Sequence, residues 1–437
     1  MSTTTTDPAA AGAAKIPRIG TIAFAGTIGT IIEWYDFLIY GTAAALVFNS
    51  QFFPNVDPRI GTLAALGAYA VGFFARPIGG AIFGHFGDRL GRKSMLMLTM
   101  IFMGLSTALI GVLPNYAQIG LAAPVLLVVL RIVQGIALGG EWGGASLMVL
   151  EHAPAHRRGL FGSFVQVGFP IGLVSASAMF SLVSMLPDAD FKSWGWRIPF
   201  ILSVVLVGVG LFVRARLPET PVFEAIKARG QIVRTPLIEM VLKNPKSFLV
   251  AVGLKLSEVS WVYMLTIFVV VYATTTLGLP RSLMLNAIVL AALLELFSIP
   301  LFGYLSDLYG RRSLYFAGVA FTILYAFPLF WLLDMKTPEI VILAVVIALN
   351  FGHGLMFAPE STYFPELFGS NVRYSGASLG FQVSAAIGGG FAPIIATALA
   401  AYTGGTAGVS IMLILLALVT LIATLFARET KDDPLLS

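Results

Sequence analysis

Apolar residues run along this chain in long stretches broken by short polar segments, with no alternating pattern between them. Stretches long enough to cross about 30 Å of hydrocarbon as helix predict about twelve spans: 20–47, 60–83, 94–113, 121–150, 161–186, 198–214, 247–273, 283–302, 313–333, 338–358, 377–402 and 406–427. Spanning strands would need segments of about ten residues alternating apolar and polar, and none occur. The predicted fold class is an all-α integral membrane protein.

The polar breaks repeat. Gly84-His85-Phe86-Gly87-Asp88-Arg89-Leu90-Gly91-Arg92-Lys93 returns in its essentials as Gly303-Tyr304-Leu305-Ser306-Asp307-Leu308-Tyr309-Gly310-Arg311-Arg312, an offset of 219 in 437 residues. Glu151 and Arg158 are echoed by Glu366 and Arg373, Gln166-Val167 by Gln382-Val383, and Glu219-Thr220 by Glu429-Thr430. A chain that repeats at half its length predicts two pseudo-symmetric six-helix bundles. The expected divisions are an N-terminal tail 1–19, a first bundle 20–213, a linker 214–246, a second bundle 247–427 and a C-terminal tail 428–437. The linker carries seven Lys/Arg and Pro218, Pro221 and Pro236, with room for a surface helix at 220–229. Each decapeptide reads as a short, charged, Gly-bounded turn between two buried helices.

Composition agrees with the pattern. Hydrophobic residues make up 57% of the chain and charged ones 11%, with a mean hydropathy of +0.89. A water-soluble domain needs about a quarter of its residues charged, so this surface meets lipid. The net charge of +5 is no nucleic-acid signal, because its distribution follows topology. With the N-terminus inside, 19 of the 27 Lys/Arg fall on the cytoplasmic side, 5 outside and 3 within the spans. The positive-inside rule therefore predicts a multi-pass protein of the cell (plasma or inner) membrane with both termini cytoplasmic. Residues 20–47 are too long for a signal-peptide core and contain Glu33 and Asp36, so a retained helix is expected. The chain has no Cys, and His85, His152, His156 and His353 form no metal-ligand cluster, so neither disulfides nor a metal or cofactor is expected.

Charges inside spans cost a few kcal/mol each and need a partner or a water-filled cavity. Here they are Glu33, Asp36, Arg76, Arg131, Glu141, Lys255, Glu258 and Glu295. Five acids against three bases points to proton binding. Glu33 and Asp36, at i and i+3, share one face of the first helix and repel when both are ionised, which suits a proton carrier; Glu33 suits helix packing equally. Arg76 precedes Pro77 and Gly79-Gly80, and either contributes to an anion site or neutralises Glu141. Glu141 lies among Gly139, Gly140, Gly143 and Gly144, whose smallness favours close helix packing. Gln134, three residues after Arg131, suits a hydroxyl or carboxylate ligand. Lys255 and Glu258 are spaced to pair with each other, and with Trp261 they make a face suited to a cyclic acid. Glu295 is either a second proton site or the partner of Lys255. Asn350 and His353 share a helix face, and such a His is more often a satisfied buried group than a relay.

The two GxxxDxxGR[KR] hairpins resemble the loop signature of the major facilitator superfamily. Glu33-Trp34-Tyr35-Asp36-Phe37, Arg76-Pro77-Ile78-Gly79-Gly80, Arg131-Ile132-Val133-Gln134-Gly135, Gly139-Gly140-Glu141-Trp142-Gly143-Gly144 and Trp194-Gly195-Trp196-Arg197-Ile198-Pro199-Phe200 resemble its metabolite:proton symporters, most nearly the bacterial shikimate permeases and related organic-acid carriers. The resemblance implies that helices one and four meet centrally, so that Asp36 pairs with Arg131 until a proton frees Arg131 to hold a substrate carboxylate; a permanent ion pair is the alternative. It also implies that Asp88, Arg89, Arg92, Glu151, Arg158, Asp307, Arg311, Glu366 and Arg373 form a cytoplasmic gating network rather than a substrate site. The expected activity is proton-coupled uptake of a small carboxylated metabolite, shikimate-like or another mono- or dicarboxylate, by a functional monomer with H+ as coupling ion. A proline/betaine symporter or an exporter is the alternative within transport. Against the betaine branch, only Arg428–Ser437 follow the last helix, where that branch carries a long coiled coil. A channel is disfavoured because the charges form no repeated rings. An enzyme is disfavoured because no metal spacing, G-x-S-x-G elbow or phosphate loop occurs, and no Walker motif points to ATP.

Overall fold

A computed structural model describes residues 18–55 and 58–435. Twelve membrane-length helices follow one another: α1 Ile19–Phe52, α2 Pro58–Leu90, α3 Arg92–Val112, α4 Ala122–Leu150, α5 Arg158–Val183, α6 Ile198–Ala215, α7 Pro245–Thr276, α8 Arg281–Tyr309, α9 Arg311–Asp334, α10 Pro338–Glu366, α11 Arg373–Thr403 and α12 Ala407–Phe426. There is no strand among the described residues. The fold is two six-helix bundles, α1–α6 and α7–α12, and the outer surface is apolar: Phe297, Leu324, Ile394 and Leu425 all stand exposed. Between the bundles lie two short helices, Pro221–Ala228 and Pro236–Lys243. The first matches the surface helix expected at 220–229, with the Thr220 hydroxyl accepting from the Phe223 N–H; the second was not foreseen.

The repeated decapeptides are not loops. Helix continues through Asp88 to Leu90 and through Asp307 to Tyr309, and the turn is one glycine in each copy. Gly91 has φ of 110° and Gly310 of 98°, a region closed to most side chains. The charges made these segments look like loops, but helix ends in a membrane protein extend past the apolar run to reach water. For the same reason α10 runs to Glu366 instead of ending at 358.

The halves meet along two seams, α2 against α11 and α5 against α8. Aromatic contacts cross between them. The Trp142 ring stacks on Phe381 with centroids 3.9 Å apart, and Phe73 meets Tyr263 edge-on at 5.4 Å. Within the first half α2 and α4 touch backbone to backbone, since a Cβ on Gly79 or Gly139 would collide with main-chain atoms of the other helix. Gly143 and Gly144 leave no room either, facing Ser378 and Tyr374 of α11. The small residues around Glu141 therefore serve close packing.

Candidate functional site

The first-half charges converge on one buried cluster. The Arg131 guanidinium lies 4.3 Å from the Tyr40 ring centroid and donates to Gln134 Oε1 at 2.6 Å. Gln134 Nε2 donates to Thr107 Oγ1 at 2.7 Å, and that hydroxyl donates to Asp36 Oδ2 at 2.8 Å. The expected Asp36–Arg131 contact is thus a relay through Gln134 and Thr107. The i, i+3 spacing that aligns Gln134 with Arg131 puts the amide between the two charges. Glu33 Oε2 and Asp36 Oδ1 are buried with no hydrogen-bond partner among the described residues. Arg76 is 3% exposed, and its guanidinium sits 4.5 Å from the Phe37 centroid and 5.2 Å from that of Phe73. Among the described residues it makes no hydrogen bond or ion pair. It does not neutralise Glu141; that carboxylate is forked by Arg214 of α6, with Thr99 Oγ1 donating at 2.8 Å.

The second half holds a larger network. Lys255 Nζ pairs with Glu258, as its spacing predicts, and also lies 3.0 Å from the Glu360 carboxylate. His353 places Nε2 2.9 Å from Glu258 and Nδ1 2.7 Å from Glu295. Glu295 is therefore the partner of His353 and not of Lys255, because α8 and α10 pack side by side. Trp261 is fully buried and donates its indole N–H to the Ala348 carbonyl at 2.8 Å, which commits it to α7–α10 packing rather than to the expected ligand face. Asn350 is likewise occupied, by Ser298 and by the Ala291 and Val346 carbonyls. Tyr263 connects the two clusters: Arg76, Glu258, Glu33 and Arg131 are the charges acting on it.

At the hairpin end the halves clasp each other twice, in the same way. Asp88 accepts from the Tyr374 and Ser375 N–H groups at 3.2 and 2.9 Å and from the Ser375 hydroxyl at 2.8 Å, at the start of α11. Asp307 accepts from the Gly159 and Leu160 N–H groups at 2.7 and 2.8 Å, at the start of α5. Each half thus puts a carboxylate on a helix N-terminus of the other, where unpaired N–H groups and the helix dipole favour negative charge. Arg92 lies 3.5 Å from Asp88 and 3.7 Å from Glu151, and donates to the Ser370 carbonyl across the seam. Arg373 also reaches Glu151, at 3.5 Å, while Arg311 holds Asp307 at 2.8 Å and Glu366 at 3.4 Å. Arg158 caps the Asp433 carbonyl of the C-terminal segment. Among the described residues Arg89 takes no part; it is exposed and meets His85.

Sequence reasoning missed five residues. Glu360 lies two residues past the expected end of α10, and Arg214 was counted with the linker. Thr107 is one hydroxyl in an apolar run. Glu219 and Glu429 were visible only as repeat markers; Glu219 caps the Arg92 and Lys93 N–H groups and Glu429 those of Arg311 and Arg312, each just after the turn glycine.

Twelve helices in two clasped bundles, with a buried ionisable cluster in each, define a membrane transporter of the two-bundle class and not an enzyme. The Major Facilitator Superfamily model matches residues 26–389, and the chain belongs to that family. It is 44% identical over 424 residues to the "Shikimate transporter" of Escherichia coli (strain K12), covering 96% of this chain and 97% of that one. It is 42% identical to the "Inner membrane metabolite transport protein YhjE" of the same organism, over 94% of each chain. The "Proline/betaine transporter" of Escherichia coli (strain K12) is more distant, 32% identical over 94% of this chain and 84% of that one. Among solved structures, the proton:xylose symporter XylE bound to 6-bromo-6-deoxy-D-glucose shares the fold with a TM-score of 0.75, at 20% identity over 95% of this chain and 97% of that one.

Proposed function

We propose that this protein takes up a small carboxylated metabolite, shikimate-like or a related mono- or dicarboxylate, together with a proton by alternating access. Both termini would lie in the cytoplasm, with the protein in the inner membrane. The observation that carries the reading is Arg76. A guanidinium buried in the spans with no hydrogen bond or ion pair among the described residues, and with its acidic neighbour Glu33 acting on it from beyond contact distance, is left with donors to fill. Its five donors fit a carboxylate in bidentate geometry, and the Phe37 and Phe73 rings beside it suit the apolar face of a cyclic acid. The 44% identity to a shikimate transporter agrees with that chemistry.

Asp36 and Glu33 are the first-half proton acceptors in this reading. When Asp36 binds a proton, its hold on Thr107 weakens, and the relay through Gln134 releases Arg131 toward the substrate carboxylate. Arg131 and Gln134 then join Arg76 as ligands, with Lys255 facing them from the second half. The Asp88 and Asp307 clasps hold the cytoplasmic end shut in the conformation described and open in the alternate one. Uptake of labelled shikimate, protocatechuate, 2-oxoglutarate, citrate and proline betaine, with and without protonophore, tests the proposal. Protonophore-sensitive accumulation of one or more of the acids is expected. Uptake of the betaine alone would overturn the organic-acid assignment, and accumulation indifferent to protonophore would overturn the coupling.

A further inference from the structure

His353 has a carboxylate on both ring nitrogens. A neutral imidazole has one N–H and one lone pair, so the 2.9 Å contact to Glu258 and the 2.7 Å contact to Glu295 cannot both be hydrogen bonds unless the group holds one further proton. The proton makes the ring an imidazolium or one carboxylate a carboxylic acid, and the same proton count serves either way. Glu295 Oε2 is buried with no partner among the described residues, so nothing else claims that carboxylate. Among the described residues Lys255 is the one fixed cation paired within this set of Glu258, Glu295 and Glu360, and the titratable phenols acting on the set are Tyr315 of α9 and Tyr263 of α7. The uncharged neighbours are Phe357 on α10, stacked on the imidazole at 4.3 Å, and Phe169 from α5, edge-on at 5.3 Å.

The group is also mechanically placed. His353 ends a π-helical turn, Ala348–His353, and a single π turn inside an α-helix is a feature found frequently at functional sites. About two turns further on, Glu360 shares Lys255 and lies 3.4 Å from Gln166 Nε2 of α5, which donates at 2.9 Å to the Phe357 carbonyl. Trp142 of α4 donates to Gln166 Oε1 at 2.9 Å. Charge in the second half is therefore joined by contacts to the seam with the first.

We propose that Glu295–His353–Glu258 is a second proton-binding site of the transport cycle, and that its occupancy is passed through Lys255 and Glu360 to the Gln166 contact joining the halves. This deepens the proton-coupled reading and rests on it. With the proton bound, both contacts to His353 are attractive and α10 stays against α5. When the proton leaves to water, one imidazole lone pair faces a carboxylate, that contact turns repulsive and the ring must leave it. Lys255 then follows Glu258, Glu360 loses its cation, and the α10–α5 seam loosens.

Because the chain has no Cys, a single Ser163→Cys reports the seam by its maleimide labelling rate; Ser163 stands on α5, fully buried against Gly303 of α8, the helix packed beside α10. In purified protein the rate, divided at each pH by that of the same thiol in the denatured protein so that thiolate ionisation cancels, should rise about tenfold or more as pH increases from 5 to 9, the factor given by one proton-linked step of about one pH unit. In His353→Gln and in Glu295→Gln that dependence should be lost, or its midpoint should move by about one unit or more. If one variant fails to reach the membrane, the other carries the test. A normalised labelling rate flat with pH in the Ser163→Cys parent overturns the proposal, and so do normalised variant profiles that superimpose on the parent. Shikimate uptake in the parent, with and without protonophore, separates the two readings. Protonophore-insensitive accumulation sinks the coupled mechanism itself, whereas sensitive uptake with unchanged profiles sinks only the second site.

Discussion

Two buried arginines in the first half show how the same residue type serves opposite ends. Arg214 is fully committed to Glu141, and removing one member of a buried pair leaves the other charge uncompensated at about 3–5 kcal/mol. Glu141→Gln is therefore expected to lower the thermal midpoint of the detergent-solubilised protein by several degrees and to reduce its amount in the membrane. Arg76 makes no ion pair or hydrogen bond among the described residues, and Glu33 acts on it from beyond contact distance, so its removal breaks no such pair. Arg76→Gln should leave the melting temperature within a degree or two, while carboxylate uptake falls by at least about tenfold, the loss of one charge-assisted hydrogen bond. Melting of both variants beside uptake by Arg76→Gln checks the pair, and an Arg76→Gln protein that melts as early as Glu141→Gln would mark Arg76 as structural. For Asp36→Asn, downhill exchange of substrate should persist and proton-driven accumulation should fail. Accumulation at the parent level in proteoliposomes would remove Asp36 from the coupling path.

At the scale of elements, the turns and clasps are built from helix ends. Gly91 must be glycine twice over: its φ is positive, and a Cβ there would strike the Glu219 carboxylate that caps α3. Gly91→Ala should cost about 1–3 kcal/mol, read as earlier thermal unfolding. Asp88→Asn keeps the shape of the side chain but removes the charge that meets the α11 N-terminus and Arg92. Transport rate should drop while the amount of protein in the membrane stays constant. A rate equal to the parent's would mean that the clasp only anchors the hairpin.

For the whole molecule, the paired glutamines mark how the halves hold together. Gln166 reaches the Phe357 carbonyl of the second half, and its repeat mate Gln382 reaches the Leu138 and Gly139 carbonyls of the first, at 3.4 and 3.3 Å. Each sits on a helix whose N-terminus is clasped by an aspartate from the opposite half, so the contacts form two layers of one closure. At about 1 kcal/mol per hydrogen bond, and with the two contacts of Gln382 Nε2 counted as one shared bond, Gln166→Leu with Gln382→Leu should shift the balance toward the form open at the hairpin end by about thirtyfold. Faster maleimide labelling at Ser163→Cys would report the shift, and an unchanged rate would show that the aspartate clasps alone keep the end shut.

The sequence by itself determined the membrane class, the number of helices, the halving of the chain and most of the charges that lie in the spans, Arg214 and Glu360 excepted. These depend on run length and repeat offset, which are local quantities. It also supplied pairs within one helix, such as Lys255 with Glu258, because three residues fix their geometry. Only tertiary structure decided the partners between helices: Arg214 for Glu141, His353 for Glu295, and Gln134 and Thr107 between Arg131 and Asp36. Those choices depend on helix rotation and depth, which an almost uniformly apolar helix leaves open because nearly every face is compatible with lipid or core. Glu360 fell outside the sequence reading for a related reason. A span's apolar run ends where lipid ends, but its helix continues, and in this protein several of the groups that join the two halves stand on that continuation.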